Sequence, residues 1–390
     1  MRNPSPVLLV FVLWAAGLGA AAQFGKISVM FDLLGQRYPG AGPGIGLMVS
    51  LVGLVGLVFG ATAGLLVQRI GLRRVLVGGL TLGAAMSLFQ ANLPGFGWMM
   101  LSRALEGASH LAIVVSGPVL IAQIAADRWQ SAAMTLWASF FGVSFALTAW
   151  LGLPLAQAHG PAAVFLVHAA FMAAIALWLF RLLPPDRFTS PPAPLSPWSV
   201  LRQHAEIYAS PFTSAPGLGF VFYTMMYVAI LTLVPAMMPD GSRAVVATFM
   251  PLASIAVSLT LGTLVLRWVS AVRLVQIGLG LTAGFTLLLA LSWGQTATVG
   301  VAMALGGTLG LIQGGSFASI PQLNPTSAAR SRAAGVVAQM GNLGTTLGTP
   351  ILAALIGWFG VWGLVLLVLP LCTAGIIVHI WLSARRLRES

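Results

Sequence analysis

The sequence predicts an all-α integral membrane protein: twelve transmembrane helices in two pseudo-symmetric six-helix bundles. Three observations carry this prediction. Twelve apolar stretches, each near the roughly 20 residues that a spanning helix needs, are separated by short polar breaks. Arginine collects in alternate breaks. One side holds Arg2; Arg69, Arg73 and Arg74; Arg128; Arg181, Arg187 and Arg202; Arg267 and Arg273; Arg330 and Arg332; and Arg385, Arg386 and Arg388, which is 15 of the 19 basic residues. The other side holds Arg37, Arg243 and, depending on where the first span ends, Lys26; Arg103 lies inside a span. Basic loops stay in the cytoplasm during insertion, so the alternation predicts a multi-pass protein of the inner (cytoplasmic) membrane with both termini inside. Third, the halves echo each other. Gly64-Leu-Leu-Val-Gln-Arg69 is matched by Gly262-Thr-Leu-Val-Leu-Arg267. At a near-constant offset Gly107 aligns with Gly310, His110 with Gln313, Pro118 with Pro321, Arg128 with Arg330 and Gly142 with Gly344. Two such repeats place a binding site between halves, near the bilayer midplane.

In chain order, the spans fall at 7–33 and 44–67, closed by the Arg69–Arg74 loop, then at 74–93 and 97–123, before Arg128. Spans at 131–155 and 162–182 complete a first bundle, residues 1–183. The longest break, 184–211, contains Pro184, Pro185, Pro191, Pro192, Pro194 and Pro197 and reads as a cytoplasmic linker. Within it, Trp198, Leu201 and Tyr208 form one side of a short interfacial helix, with Arg202, His204 and Glu206 towards water. The second bundle, residues 212–390, has spans at 213–237, 244–266, 273–292, 297–322, 332–356 and 361–384.

Composition excludes several classes. Hydrophobic residues make up 58% and charged ones 7%, whereas soluble domains carry about 25% charged residues. The spans leave only short loops, so no soluble domain fits between them. A net charge of +12 raises the question of nucleic acid, but the arginines are dispersed over separate loops and form no stripe. The single cysteine, Cys372, lies in the last span, so neither a disulfide framework nor a cysteine metal cluster is expected. No metal site, cofactor or nucleotide-cradling loop is expected, and no His-Glu-x-x-His or paired intramembrane aspartates point to an enzyme. Residues 1–24 resemble a secretory leader, but the apolar run resumes through Ile27–Met30 and eleven further spans follow, so an uncleaved first span is expected.

Two motifs carry a family resemblance. The loop after span 2 reads Gly64-Leu-Leu-Val-Gln68-Arg69-Ile-Gly71-Leu-Arg73-Arg74. Gly64 and Gly71 permit close packing and a tight turn, and the arginines hold the loop at the headgroups. It resembles the signature loop of the major facilitator superfamily, a glycine followed by Asp-Arg-x-Gly and basic residues, with Gln68 at the usual aspartate. The resemblance implies a conformational gating loop, and the glutamine implies that the family's charge latch lacks its ion pair here. Span 4 carries Arg103-Ala-Leu-Glu106-Gly107-Ala-Ser-His110, similar to the family's second motif, an intramembrane arginine with a polar residue and glycine one turn on. The glycine-proline motif that drug/proton antiporters of the superfamily carry in span 5 is absent. Span 11 holds Gly344-Thr-Thr-Leu-Gly348-Thr-Pro350, where small-residue packing is the simpler reading.

Candidate site residues follow from charge and face. At about 100° per residue, Arg103, Glu106 and His110 fall within about 60° on one helix face. A buried arginine costs about 2.5–3.5 kcal/mol on insertion scales, so Arg103 needs an interior partner. Either it pairs locally with Glu106 and only orients the helix, or the pair contacts substrate or couples transport. Depth along span 1 permits Lys26 to join them in a cluster of net charge +1; the alternative is snorkelling to the outer headgroups. His110 reads equally as a proton relay or as a packed histidine. In the second half the candidates are neutral: Tyr223 and Tyr227 one turn apart, Gln313, and Gln339 and Asn342 on one face. Trp14 and His168 read as packing residues. The resulting expectation is a secondary transporter, monomeric in the bilayer, that takes up a small polar or anionic solute by alternating access, coupled to protons. The alternative is proton-driven efflux of amphiphilic or toxic compounds.

Overall fold

A computed structural model describes residues 5–126, 133, 136–137, 139–186 and 197–389, with the side chains of some helical positions excepted. The described residues are mostly helical and include no strands. We label the helices α1 (Pro6–Val29), α2 (Val52–Ile70), α3 (Leu72–Gln90), α4 (Phe96–Ile124), α5 (Phe140–His159) and α6 (Pro161–Leu182). After a linker helix at Pro197–Ala209 come α7 (Ala215–Met237), α8 (Asp240–Val265), α9 (Ala271–Leu291), α10 (Thr298–Leu323), α11 (Ser327–Phe359) and α12 (Trp362–Glu389). Among the described residues, ten helices are long and apolar enough to cross a bilayer. α2 and α11 cover the two remaining intervals; α11 is diluted by Arg330, Arg332, Gln339 and Asn342.

Several helix starts are written in the sequence. Ser5 caps α1 by accepting from Leu8 N–H at 3.2 Å, with Pro6 in the first turn. Ser270 caps α9 at Arg273, and Thr326 caps α11 at Ala329. Such caps satisfy backbone donors that a helix start leaves open. Inside the helices the regular pattern yields at proline and at π turns. Pro118 and Pro321 lie within α4 and α10, the two positions the repeat aligns. Single π turns interrupt α5 at Thr148–Gly152 and α8 at Ser258–Gly262.

Several span boundaries differ from the sequence reading by about one turn, α11 starting at Ser327 and α12 running to Glu389, and two differ in kind. The first span ends at Val29 instead of residue 33: Met30 breaks the helix, and Phe31–Arg37 forms a separate short helix. The second begins as an isolated turn, Ile45–Ser50, before α2.

The chain divides into two compact units, Met1–Ala41 with Leu51–Pro194, and Gly42–Ser50 with Leu195–Ser390. In the first, an apolar core of Leu13, Ala16, Leu76, Leu80, Ile113, Met172 and Leu179 joins α1, α3, α4 and α6. In the second, α7 lies along α11 and α9 along α10. The Ile45–Ser50 turn belongs to the second unit because Gly46 brings it against α11: a β-carbon there would sit 2.8 Å from Pro350 Cα.

Candidate functional site: a buried charge network in the first unit

Four helices of the first unit converge on Glu106. Its Oε1 accepts from Lys26 Nζ of α1 at 2.7 Å. Its Oε2 accepts from Arg103 Nη1, one turn back on α4, and from Gln90 Nε2 of α3 at 2.9 Å. Arg103 also donates through Nη2 to the Gln23 carbonyl of α1 at 2.6 Å. Lys26 donates to Ser87 Oγ at 2.6 Å, lies 3.4 Å from His168 Nδ1 of α6, and stands over the Phe165 ring at 5.2 Å. Lys26 is 1% exposed, and Arg103 and Glu106 are 0% exposed.

The chemistry of this cluster is one carboxylate held by two cations. Its three charges sum to +1, in a setting where an unpaired ion is expensive. Each charge therefore needs a geometric partner, and the sequence supplies them on facing helices. Glycine makes the approach possible at Gly83, where a β-carbon would lie 2.6 Å from Ser109 Oγ and 3.0 Å from Gln23 Nε2. Those two groups are themselves hydrogen-bonded at 2.8 Å.

Of the sequence candidates, Lys26, Arg103 and Glu106 are brought together. Lys26 does not snorkel; its ammonium stays inside the helix bundle of the first unit. His110 shares their helix face but donates elsewhere, from Nδ1 to the Ala20 carbonyl of α1 at 3.1 Å, with its ring edge-on to Phe24. A carbonyl can only accept, so Nδ1 carries that hydrogen. His168, set aside from sequence as a packing residue, belongs to the network instead. Ser87 and Gln90 were not singled out either. The available signal was a serine and a glutamine three residues apart in α3, a spacing that puts both on one face.

The loop between α2 and α3 is held by a group its motif does not contain. Gly71 has φ +104°, a left-handed conformation that costs other residues strain, and a β-carbon there would overlap the Asp186 carboxyl. Asp186, just past α6, accepts from the backbone N–H of Arg73 at 2.9 Å and of Arg74 at 3.1 Å, capping α3. The Arg73 guanidinium donates to the Phe180 carbonyl at 2.5 Å and lies 4.5 Å from that ring. The side chains of Gln68 and Arg69 and the packing of Gly64 fall outside the described residues, as do Arg2, Arg128 and Arg187.

In the second unit the candidates do not converge. Tyr223 and Tyr227 stack on each other, with ring centroids 4.9 Å apart and planes at 29°, and Phe220 continues the row at 5.1 Å from Tyr223. Both tyrosines are buried. Gln313 is half-buried in α10. Gln339 and Asn342 part company. Gln339 Oε1 accepts from Tyr208 OH of the linker helix at 2.9 Å, while Asn342 Nδ2 turns back to the Ala338 carbonyl of its own helix at 2.8 Å. Burial holds the Tyr208 phenol up at about 12, so it is a neutral donor. The linker helix also differs from its sequence reading. Trp198 is exposed, while Tyr208 is half-buried, stacked on His204 and docked on α11 through Gln339. Arg385 and Arg386 of α12 secure the end of that helix by donating to the Ala209 and Pro211 carbonyls, each at 3.0 Å.

The Gly344–Gly348–Pro350 segment packs as small residues do. β-carbons at Gly344 and Gly348 would collide with α7, the first with Thr224 Oγ1 and Met225 N, the second with the Met225 carbonyl.

Comparison with known proteins agrees with this architecture. The family model described as Major Facilitator Superfamily matches residues 9–328. The chain is 30% identical over 138 residues to the inner membrane transport protein YajR of Escherichia coli strain K12. That alignment covers 35% of this chain and 30% of the relative, so the chain spans under a third of the length of the curated relative it matches.

Proposed function

The chain belongs to the major facilitator superfamily, and we propose that it is a carrier, not an enzyme, for uptake of a small polar or anionic solute together with protons. It is a multi-pass membrane protein of a transporter family, with the lipid bilayer as its surroundings and a small molecule as its substrate. In this reading it is a symporter that works as a monomer in the inner membrane, with both termini in the cytoplasm, by alternating access.

One observation carries the reading: Glu106 sits between two cations, so the charge it holds decides what Lys26 and Arg103 are paired with. While Glu106 is ionised it satisfies both. A proton on Glu106 removes the negative partner and leaves two buried cations in need of another, which an anionic group on the solute supplies. Proton and anion then bind together because neither is well accommodated alone. An ATP-cradling motif is missing from the sequence, and a sodium site would want several clustered oxygens, so a proton gradient is the energy source that fits.

A thermal-shift screen of the purified protein tests the substrate class, using small anions, nucleobases, amino acids, sugars and amphiphilic drugs. A ligand at 100 times its dissociation constant stabilises the folded state by about 2.7 kcal/mol. Stabilisation by a small anion, lost in Lys26→Ala and Arg103→Ala, is the expected result. Stabilisation only by bulky amphiphiles, indifferent to both changes, overturns the uptake reading in favour of efflux.

A further inference from the structure

His168 is buried inside the first unit and meets the charge network twice, directly at Lys26, whose Nζ lies 3.4 Å from its Nδ1, and through Ser87. Its Nε2 lies 3.0 Å from the Gly19 carbonyl oxygen of α1. A carbonyl only accepts, so Nε2 carries the hydrogen, and in the neutral ring Nδ1 is then the acceptor. The Ser87 hydroxyl, 2.7 Å from Nδ1, donates to it, and the Ser87 oxygen accepts from Lys26 Nζ at 2.6 Å. Ser87 has a second acceptor in reach, Glu106 Oε1 at 3.4 Å, the same oxygen that Lys26 uses. The direction in which this one hydroxyl points therefore decides whether Ser87 only supports Lys26 or also competes with it for Glu106.

We propose that His168 is a positioning residue for Lys26: its Nδ1 draws the Ser87 hydroxyl away from Glu106 and turns the Ser87 oxygen towards the ammonium. Without an acceptor at that place, the hydroxyl swings to Glu106 Oε1, and Lys26 loses its approach to Nδ1 and shares that carboxylate oxygen with Ser87. The consequence for transport rests on the reading of Lys26 and Glu106 as the coupling site; the positioning itself does not.

The sequence makes the test direct, because Lys26 is its single lysine. With the full chain in lipid nanodiscs and a lysine-free tag, 15Nζ-lysine NMR gives one side-chain resonance. Acylation by an N-hydroxysuccinimide ester, read by mass spectrometry, reports the reactivity of that same amine apart from the N-terminus. Two substitutions separate the roles of the two ring nitrogens. H168Q keeps a donor near Nε2 for Gly19 but places no acceptor at Nδ1. H168N places an oxygen at Nδ1 but no donor at Nε2.

The proposal expects H168Q to raise Lys26 acylation by about tenfold, the scale of one lost hydrogen bond, and to shift its resonance. H168N stays close to the natural protein in both readouts, and Ser87→Ala behaves as H168Q does. Ser87→Ala decides the matter if H168Q does not fold. The reverse order, with H168N reactive and H168Q unchanged, would show that His168 only anchors α6 to Gly19. Equal effects of the two His168 variants, or none, also overturn the proposal. A solute screen that finds no anion leaves this result untouched, so the two readings fail separately.

Discussion

The two units keep their polar groups in different ways. The first buries Lys26, Arg103 and Glu106 together and surrounds them with Gln90, Ser87, Gln23 and His168 from three helices. The second sets neutral rings and amides against backbone and against each other: stacked Tyr223 and Tyr227, Gln339 on Tyr208, Asn342 on its own helix. It brings α7 and α11 together through Gly344 and Gly348. The contrast follows from electrostatics in a medium that solvates ions poorly. Charges placed there need a complete set of mutual partners, and every partner must come from a precise place on a neighbouring helix. Glycine contacts need only the absence of a side chain.

The largest expected effect breaks the charged side of this comparison. Glu106→Leu leaves two cations buried without their carboxylate and should destabilise the protein by about 3–5 kcal/mol. Thermal unfolding in detergent or nanodiscs would measure it, and a loss under about 1 kcal/mol would mean that the network opens to water on its own. On the neutral side, Gly348→Leu forces a side chain into the Met225 carbonyl and should cost about 1–3 kcal/mol, as overpacking does. Equal losses for the two changes would erase the contrast.

Smaller effects sharpen it. Gly71→Ala meets both a positive φ and the Asp186 carboxyl, and a cost of about 1–2 kcal/mol is expected. Asp186→Ala uncaps α3 for about 1 kcal/mol, and in that background Gly71→Ala should cost less than it does alone. Additive losses in the double variant would show that Gly71 answers only to its own backbone. Tyr208→Phe removes one hydrogen bond between the linker helix and α11, about 0.5–1.5 kcal/mol, and hydrogen exchange should quicken in Pro197–Ala209 while α7 is unaffected.

Much of the fold could be read from the sequence, because a bilayer leaves few choices. Apolar runs of spanning length must be helices, and arginine marks the breaks between them. Two of the places where the reading slipped have a local break in the helix. Met30 ends α1 four residues early, and Ile45–Ser50 separates from α2 through the fit of Gly46 against Pro350.

The site was legible in its charges and obscure in its neutral members. Arg103 and Glu106 had to find interior partners, and Lys26 stood at a compatible depth. Nothing in the sequence says that Ser87, Gln90 and His168 point inward, since a serine, a glutamine or a histidine in a span satisfies itself on many kinds of neighbour. Asp186 escaped notice for a related reason. The loop motif lacks its aspartate, and the carboxylate that caps α3 comes from another element more than a hundred residues along the chain.

Glu106→Gln in proteoliposomes, assayed with the solute that the screen identifies, tests the central claim most directly. The amide keeps the shape and the acceptor for Lys26 but can neither ionise nor carry a proton. We predict that this variant loses accumulation driven by a proton gradient while it still exchanges solute down its own gradient. Accumulation against a gradient by the variant, at the rate of the natural protein, would contradict the assignment of Glu106 as the coupling residue.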